Sequence, residues 1–146
     1  MYQFLLHLME ENRLLDRKAE DKRATIATVN LIVASALHGV FVFTGFSQRV
    51  LPLTIWMVIL GTYGIASSLK LYERSQYHIL RARKFRTRLH ELCPDAQVEA
   101  LLYLAEDEHK VRNPFLKKIR LNTIWIALHN VITVLGIIYT AICFMR

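Results

Sequence analysis

Three long stretches of this sequence, 24–48, 50–69 and 121–145, contain no Asp, Glu, Lys or Arg. Each holds 20 residues or more. At about 1.5 Å of rise per helical residue, roughly 20 residues cover the ~30 Å hydrocarbon layer of a bilayer. A chain of 146 residues folded in water would not have the interior to bury three such runs. They predict three transmembrane helices, over 24–46, 50–69 and 121–145. The first run begins after a mixed-charge stretch and has no small-residue cleavage site before a soluble domain, so it is not expected to be a signal peptide.

The charges that the spans exclude are distributed unevenly. The net charge is +7, and of the 19 Lys and Arg, five precede the first span, twelve lie between Lys70 and Arg120, and only Arg49 and Arg146 remain. All twelve carboxylates fall in the same two segments as the main basic groups. An excess of Lys and Arg marks the cytoplasmic side of a span. The expected topology therefore has the N-terminus and residues 70–120 in the cytoplasm and the C-terminus outside. The outer face would carry little beyond a hairpin at Ser47, Gln48 and Arg49. Cys93 and Cys143 would then sit on opposite sides of the membrane, which predicts two free thiols.

The polar segments read as helices. In residues 1–23, Tyr2, Leu5, Leu6 and Met9 fall at i, i+3, i+4, i+7 and make one apolar stripe. The five acids of this segment cancel its five bases. That weakens attraction to anionic lipid and favours the arm of a bundle over a helix lying on the inner leaflet. From Val50 to Leu92 the only proline is Pro52, in the first turn, so the second span is expected to continue as one helix about six turns beyond the membrane. On this extension Ala82, Phe85, Leu89 and Leu92 form a narrow seam suited to a partner helix and to packing between copies. After a turn at Pro94 and Asp95, a second helix is expected to reach Arg112, with Val98, Leu101, Leu102, Ala105 and His109 on one face. Asn113 and Pro114 have the residue types of an N-cap and first helical position. They predict a last helix running through Lys117, Lys118 and Arg120 into the third span. The fold class is thus an all-α membrane protein. It has three transmembrane helices, an N-terminal amphipathic helix over 1–23, and a cytoplasmic helical hairpin over 70–120 formed by extensions of the second and third spans.

Polar side chains within the spans are candidate functional groups, since each is costly there unless satisfied. Asn30, Thr62, His129 and Asn130 are expected in one layer, about 9–13 Å from the inner surface. Such a layer serves either as interhelical hydrogen bonding or as a pore lining or the seat of a proton-responsive His. Small residues four apart (Ser35 and Gly39, Gly64 and Ser68, Gly136 and Thr140) permit close helix approach within or between chains. Outside the membrane, Arg81, Arg83, Lys84, Arg86 and Arg88, with Lys117, Lys118 and Arg120, are candidates for binding anionic lipid, a nucleotide-like ligand or a cytosolic protein. No aromatic residues interleave with these bases as on nucleic-acid surfaces, so no nucleic-acid partner is expected.

Enzymatic signatures are missing from the sequence. It has no Gly-rich phosphate loop and no Gly-x-Ser-x-Gly, and its His residues lack the spacing of a helical metal site. No catalytic residue, metal or cofactor is expected. The absence of carboxylates and Arg within the spans argues against a proton-coupled carrier and a voltage sensor. Bacterial diacylglycerol kinase shares the three-span layout, but its Glu-bearing motif at the membrane interface has no counterpart here.

Three stretches resemble known small bacterial inner-membrane proteins: 10–18 (EENRLLDRK) ahead of a span containing Asn30, 77–94 (YHILRARKFRTRLHELCP), and 108–129 with His109, Asn113, Pro114 and His129. The chain is similar here to RipA-type octameric membrane proteins and, more distantly, to SLATT-type transmembrane effectors of anti-phage defence. The likeness covers about half of the sequence. It implies a homo-oligomer with its N-terminus inside and a helical cytoplasmic hairpin, and for the effectors a membrane disruption triggered from the cytosol. Two functions are therefore expected: a non-enzymatic scaffold or accessory subunit acting through its basic cytoplasmic helices, or an oligomeric pore-forming effector.

Overall fold

The computed structural model describes residues 2–92, 98–112 and 120–145. Regular structure among them is helical throughout: α1 (Tyr2–Thr44), α2 (Leu51–Leu92), α3 (Val98–Arg112) and α4 (Leu121–Met145), with a short 3₁₀ turn at Gln48–Val50 leading into α2. Three of the four helices, α1, α2 with its leading turn, and α4, are long and apolar enough to cross a membrane. Large apolar side chains stand open on all three, among them Ile32 at 63%, Trp56 at 52% and Val131 at 56% exposure. Lipid is the solvent in which such faces carry no cost. By length and composition this is an all-α membrane protein.

The amphipathic segment 1–23 does not form a helix of its own. It is the first half of α1, a single helix of 43 residues. The reason lies in the sequence: no proline precedes Pro52, and 10–23 is rich in Glu, Lys, Arg, Leu and Ala, so nothing interrupts the i→i−4 ladder. The helix stops where the backbone turns left-handed, at Gly45 with φ of 73°. Its N–H donates to the carbonyl of Phe41 at 3.0 Å, the bond of an αL cap. Phe46 then packs its ring on Phe41, centroids 6.0 Å apart, which supplies the apolar contact such caps usually carry.

Helix α2 runs unbroken for 42 residues, with Pro52 in its first turn where the missing N–H has no partner to lose. Helix α4 begins at Leu121, and Arg120 precedes it outside the helix. The expected continuation of the third span back through Arg120 is therefore corrected at that residue. Bases crowded into a first turn oppose the helix dipole, and the sequence places three of them at 117–120. The predicted turn at Pro94 and Asp95, Cys93, the cap at Asn113 and Pro114, and Lys117 and Lys118 all lie outside the described residues.

The chain divides into two compact units, Met1–Glu20 with Tyr72–Arg120, and Asp21–Leu71 with Leu121–Arg146. The second unit contains the apolar core, formed by Ala34, Phe41, Val50, Met57, Ile132, Tyr139 and Cys143. Within this unit α2 and α4 approach each other across glycines. A Cβ on Gly61 would lie 2.7 Å from the backbone nitrogen of Thr133, and one on Gly136 would lie 2.8 Å from that of Val58. Close backbone approach of this kind is how helices gain van der Waals contact in lipid, where apolar burial between helices gives little. Two of the three small-residue pairs are thus used within one chain, since Ser68 is also buried and Thr140 bonds to Thr54. The third differs: a Cβ on Gly39 would meet no atom within 4 Å, and Ser35 is exposed.

Candidate functional site

In the membrane-crossing unit the four residues of the expected polar layer separate into two pairs. Asn30 is buried, and its Nδ2 donates to the Leu60 carbonyl on α2 at 3.2 Å. His129 is fully buried, with its ring against Gly64, where only a residue without a side chain leaves room for it. Neither ring nitrogen of His129 has a hydrogen-bond partner among the described residues. Thr62 and Asn130, by contrast, are exposed. Thr62 turns its hydroxyl back to its own helix, to the Val58 and Ile59 carbonyls at 3.0 and 2.9 Å. The four side chains do not converge on one point. Depth along a helix is set by residue count, but the direction a side chain takes around it depends on which neighbours pack there.

Three other polar contacts tie the same unit together, and sequence reading did not foresee them. Arg23 is among the most buried side chains of the chain, and its guanidinium donates to Asn122 Oδ1 at 2.6 Å. Thr140 donates to Thr54 Oγ1 at 3.0 Å, and Thr54 to the Leu51 carbonyl at 2.9 Å. The Tyr139 hydroxyl and His38 Nδ1 share a hydrogen bond of 2.7 Å beside the Phe41 ring. Arg23 reads from sequence as one of several bases before a span. Its pairing with a residue 99 positions away arises only from the docking of α1 and α4.

The charged unit is built around a pair of polar contacts between α1 and α2. Asn12, buried on α1, donates through Nδ2 to the Leu8 carbonyl at 2.7 Å. Its Oδ1 therefore faces His78 Nδ1, 3.1 Å away, as an acceptor. One helical turn on, Ser75 donates to Asp16 Oδ1 at 2.6 Å. Beside these contacts opens a cleft of about 200 Å³, lined from α1 by Arg13 and Asp16 and from α2 by Ala82, Arg83 and Arg86. Arg83 and Arg86 also border a second, more open cleft, whose far side is formed by Leu102, Ala105 and His109 of α3. The sequence periodicity groups these three residues on one face, but Tyr103 and Glu106, outside that group, line the cleft with them.

The candidate lipid- or partner-binding residues fare differently from one another. Arg83 and Arg86 line the clefts. Arg81 lies over the rings of Tyr77 and Phe85, its guanidinium carbon 5.5 and 5.9 Å from their centroids. Arg88 pairs with Glu91 on its own helix. Lys84 and Arg120 are exposed. Of the seam, Ala82, Phe85 and Leu89 are half-buried within the single chain and Leu92 is exposed. Ala82 faces the cleft it shares with Arg13. On α3, Lys110 lies 3.7 Å from Glu106 and Arg112 lies 2.6 Å from Glu108, both exposed i,i+4 pairs of small energetic weight. Arg13 is the functional candidate that sequence reading missed: it sits in a balanced charge mixture, and only the packing of α1 on α2 brings it beside Arg83 and Arg86.

Compared with protein-family models, curated proteins and solved structures, the chain matches none.

Proposed function

We propose that this chain is a homo-oligomeric, non-enzymatic membrane protein of the bacterial inner membrane. In this reading it acts as a scaffold or accessory subunit whose basic cytoplasmic helices dock a partner. The observation that carries the reading is the fate of the buried polar groups in the spans. Asn30 bonds to the backbone of a neighbouring helix in its own chain, and His129 is enclosed against Gly64 of the same chain. A polar group tied up as Asn30 is acts as interhelical adhesive, worth about 0.6–2 kcal/mol, and with His129 enclosed neither buried side chain is left to line an axis shared between copies. The N-inside orientation rests on the Lys and Arg distribution. Self-association is supported by Asn130, exposed on a lipid-facing helix where a second chain would satisfy it, and by the open small-residue pair Ser35 and Gly39. The likeness to RipA-type octameric proteins points the same way.

The same exposed residues support a second reading, a pore-forming effector of the SLATT type. Thr62 and Asn130 lie on outward surfaces of α2 and α4, and a ring of copies would turn one such surface toward a common axis. One experiment separates the two: the mass of the detergent-solubilised complex, then ion flux after reconstitution into liposomes. The scaffold reading expects an oligomer without conductance. A closed ring that conducts, with flux reduced by Asn130→Leu, overturns it in favour of the pore.

A further inference from the structure

We infer that the cleft between the N-terminal half of α1 and the C-terminal half of α2 is a binding site for a phosphate-bearing anion. Three arginines, Arg13, Arg83 and Arg86, line a cavity of about 200 Å³. None of the three makes an ion pair among the described residues, although the neighbouring Arg88 does. The single carboxylate in the wall, Asp16, is engaged by the Ser75 hydroxyl at 2.6 Å. Three positive groups against one negative leave the cleft strongly attractive to anions. Like charges around one cleft repel, and an anion bound among them relieves that repulsion.

The floor of the cleft adds definition. Asn12 Nδ2 is held by the Leu8 carbonyl, which turns its Oδ1 to His78 Nδ1 and fixes the proton on that nitrogen. His78 is buried and lines the same cavity. The lining thus combines three arginines with a positioned imidazole. Arginine forks match the geometry of phosphate oxygens and bind them in pairs, which a lysine cluster does not do. A cavity of this size holds one or two phosphoryl groups rather than a large organic body. This assignment deepens the docking role proposed above. It rests on the charged unit being the recognition module and narrows what that unit recognises.

The test uses the full-length protein in phosphatidylcholine nanodiscs, with inorganic pyrophosphate as probe and titration calorimetry as readout. A second arm replaces soluble pyrophosphate with phosphatidic acid in the bilayer and reads thermal stability. Pyrophosphate binding is expected, weakened about tenfold by Arg83→Gln or Arg86→Gln, each of which removes at least one charged hydrogen bond. Arg13→Gln should weaken it as much. Arg81→Gln and Arg88→Gln, which alter the same helix outside the cleft, should change it less than about twofold. Asp16→Asn gives a test of opposite sign, since removing the carboxylate should tighten binding by about threefold. Binding in the first arm points to a soluble phosphate compound. Stabilisation only in the second arm, sensitive to the same three arginines, points to a lipid headgroup. No response in either arm, or equal loss from Arg81→Gln and Arg83→Gln, overturns the site. Its failure is distinct from failure of the scaffold reading, which is judged by mass and ion flux alone.

Discussion

Replacing Gly61 with Ala tests whether α2 and α4 are held by backbone contact. A Cβ at this position would lie 2.7 Å from the Thr133 nitrogen and 2.9 Å from its Cα. Ordinary contact begins near 3.4 Å, so α4 must recede by about 0.5–0.7 Å along this line. The obstruction is backbone, which cannot rotate away as a flexible side chain would. A radial gap of this size forfeits about a quarter to a half of each van der Waals contact along the seam. Overpacking of this type costs about 1–3 kcal/mol. Gly39 supplies the matched control, because a Cβ there meets nothing within 4 Å. In the monomeric chain, at a dilution that separates any copies, Gly39→Ala should be neutral or stabilising by up to about 1 kcal/mol through helix propensity alone. Unfolding in mixed micelles, monitored by circular dichroism against SDS fraction, measures both variants on one scale. Equal stability of Gly61→Ala and Gly39→Ala would show that the glycine seam does not hold the helices together.

Individual contacts carry further expectations. Arg23→Ala removes the hydrogen bond to Asn122 from a fully buried site and should destabilise the membrane-crossing unit by about 1–3 kcal/mol, whereas the exposed neighbour Lys22→Ala should stay within about 0.5 kcal/mol in the same unfolding assay. His129→Leu removes an imidazole with no hydrogen-bond partner among the described residues and should leave stability unchanged or raise it; a loss above about 2 kcal/mol would mean the ring has a partner in the membrane. Cys143 is fully buried, so a Cys93→Ser variant should resist a membrane-permeant maleimide until SDS unfolds it, and rapid labelling of the folded protein would contradict the packing of α4.

Some elements were plain in the residues alone because their physics is local. A run of 20 uncharged residues, 50–69, meets the length and solvation demands of a bilayer without reference to any other segment. Pro52 at the start of a stretch with no further proline before Pro94 is enough to predict the long helix observed as α2. The single continuous α1 was less legible. Charge patterning divides 1–23 from the uncharged span beginning at Ala24, but a change from water to lipid along a chain does not by itself break a helix. Only a backbone defect does, and the first to end α1 is Gly45.

The candidate site was half visible. The basic run Arg81 to Arg88 stands out in sequence, yet its members meet different ends: Arg81 stacks on aromatic rings, Arg88 pairs with Glu91, and Arg83 and Arg86 face a cleft. A 3.6-residue period spreads consecutive bases around the helix, and what each one meets depends on where α1 and α3 lie. The same holds for Asn30 and Asn130, one closed on Leu60 and the other exposed.

From the residues alone came the helical character, the three stretches long and apolar enough to cross a membrane, and the places where charge concentrates. Hydrophobic length and helix propensity are properties of contiguous residues, and they need no partner. Tertiary structure alone decided that Arg23 meets Asn122, that Gly61 lies under Thr133, and that Arg13 joins Arg83 and Arg86 around one cavity. These contacts join residues 70 or more positions apart in the chain. Their energy depends on the rotation and register of one helix against another, and that is set by shape complementarity summed over the whole interface.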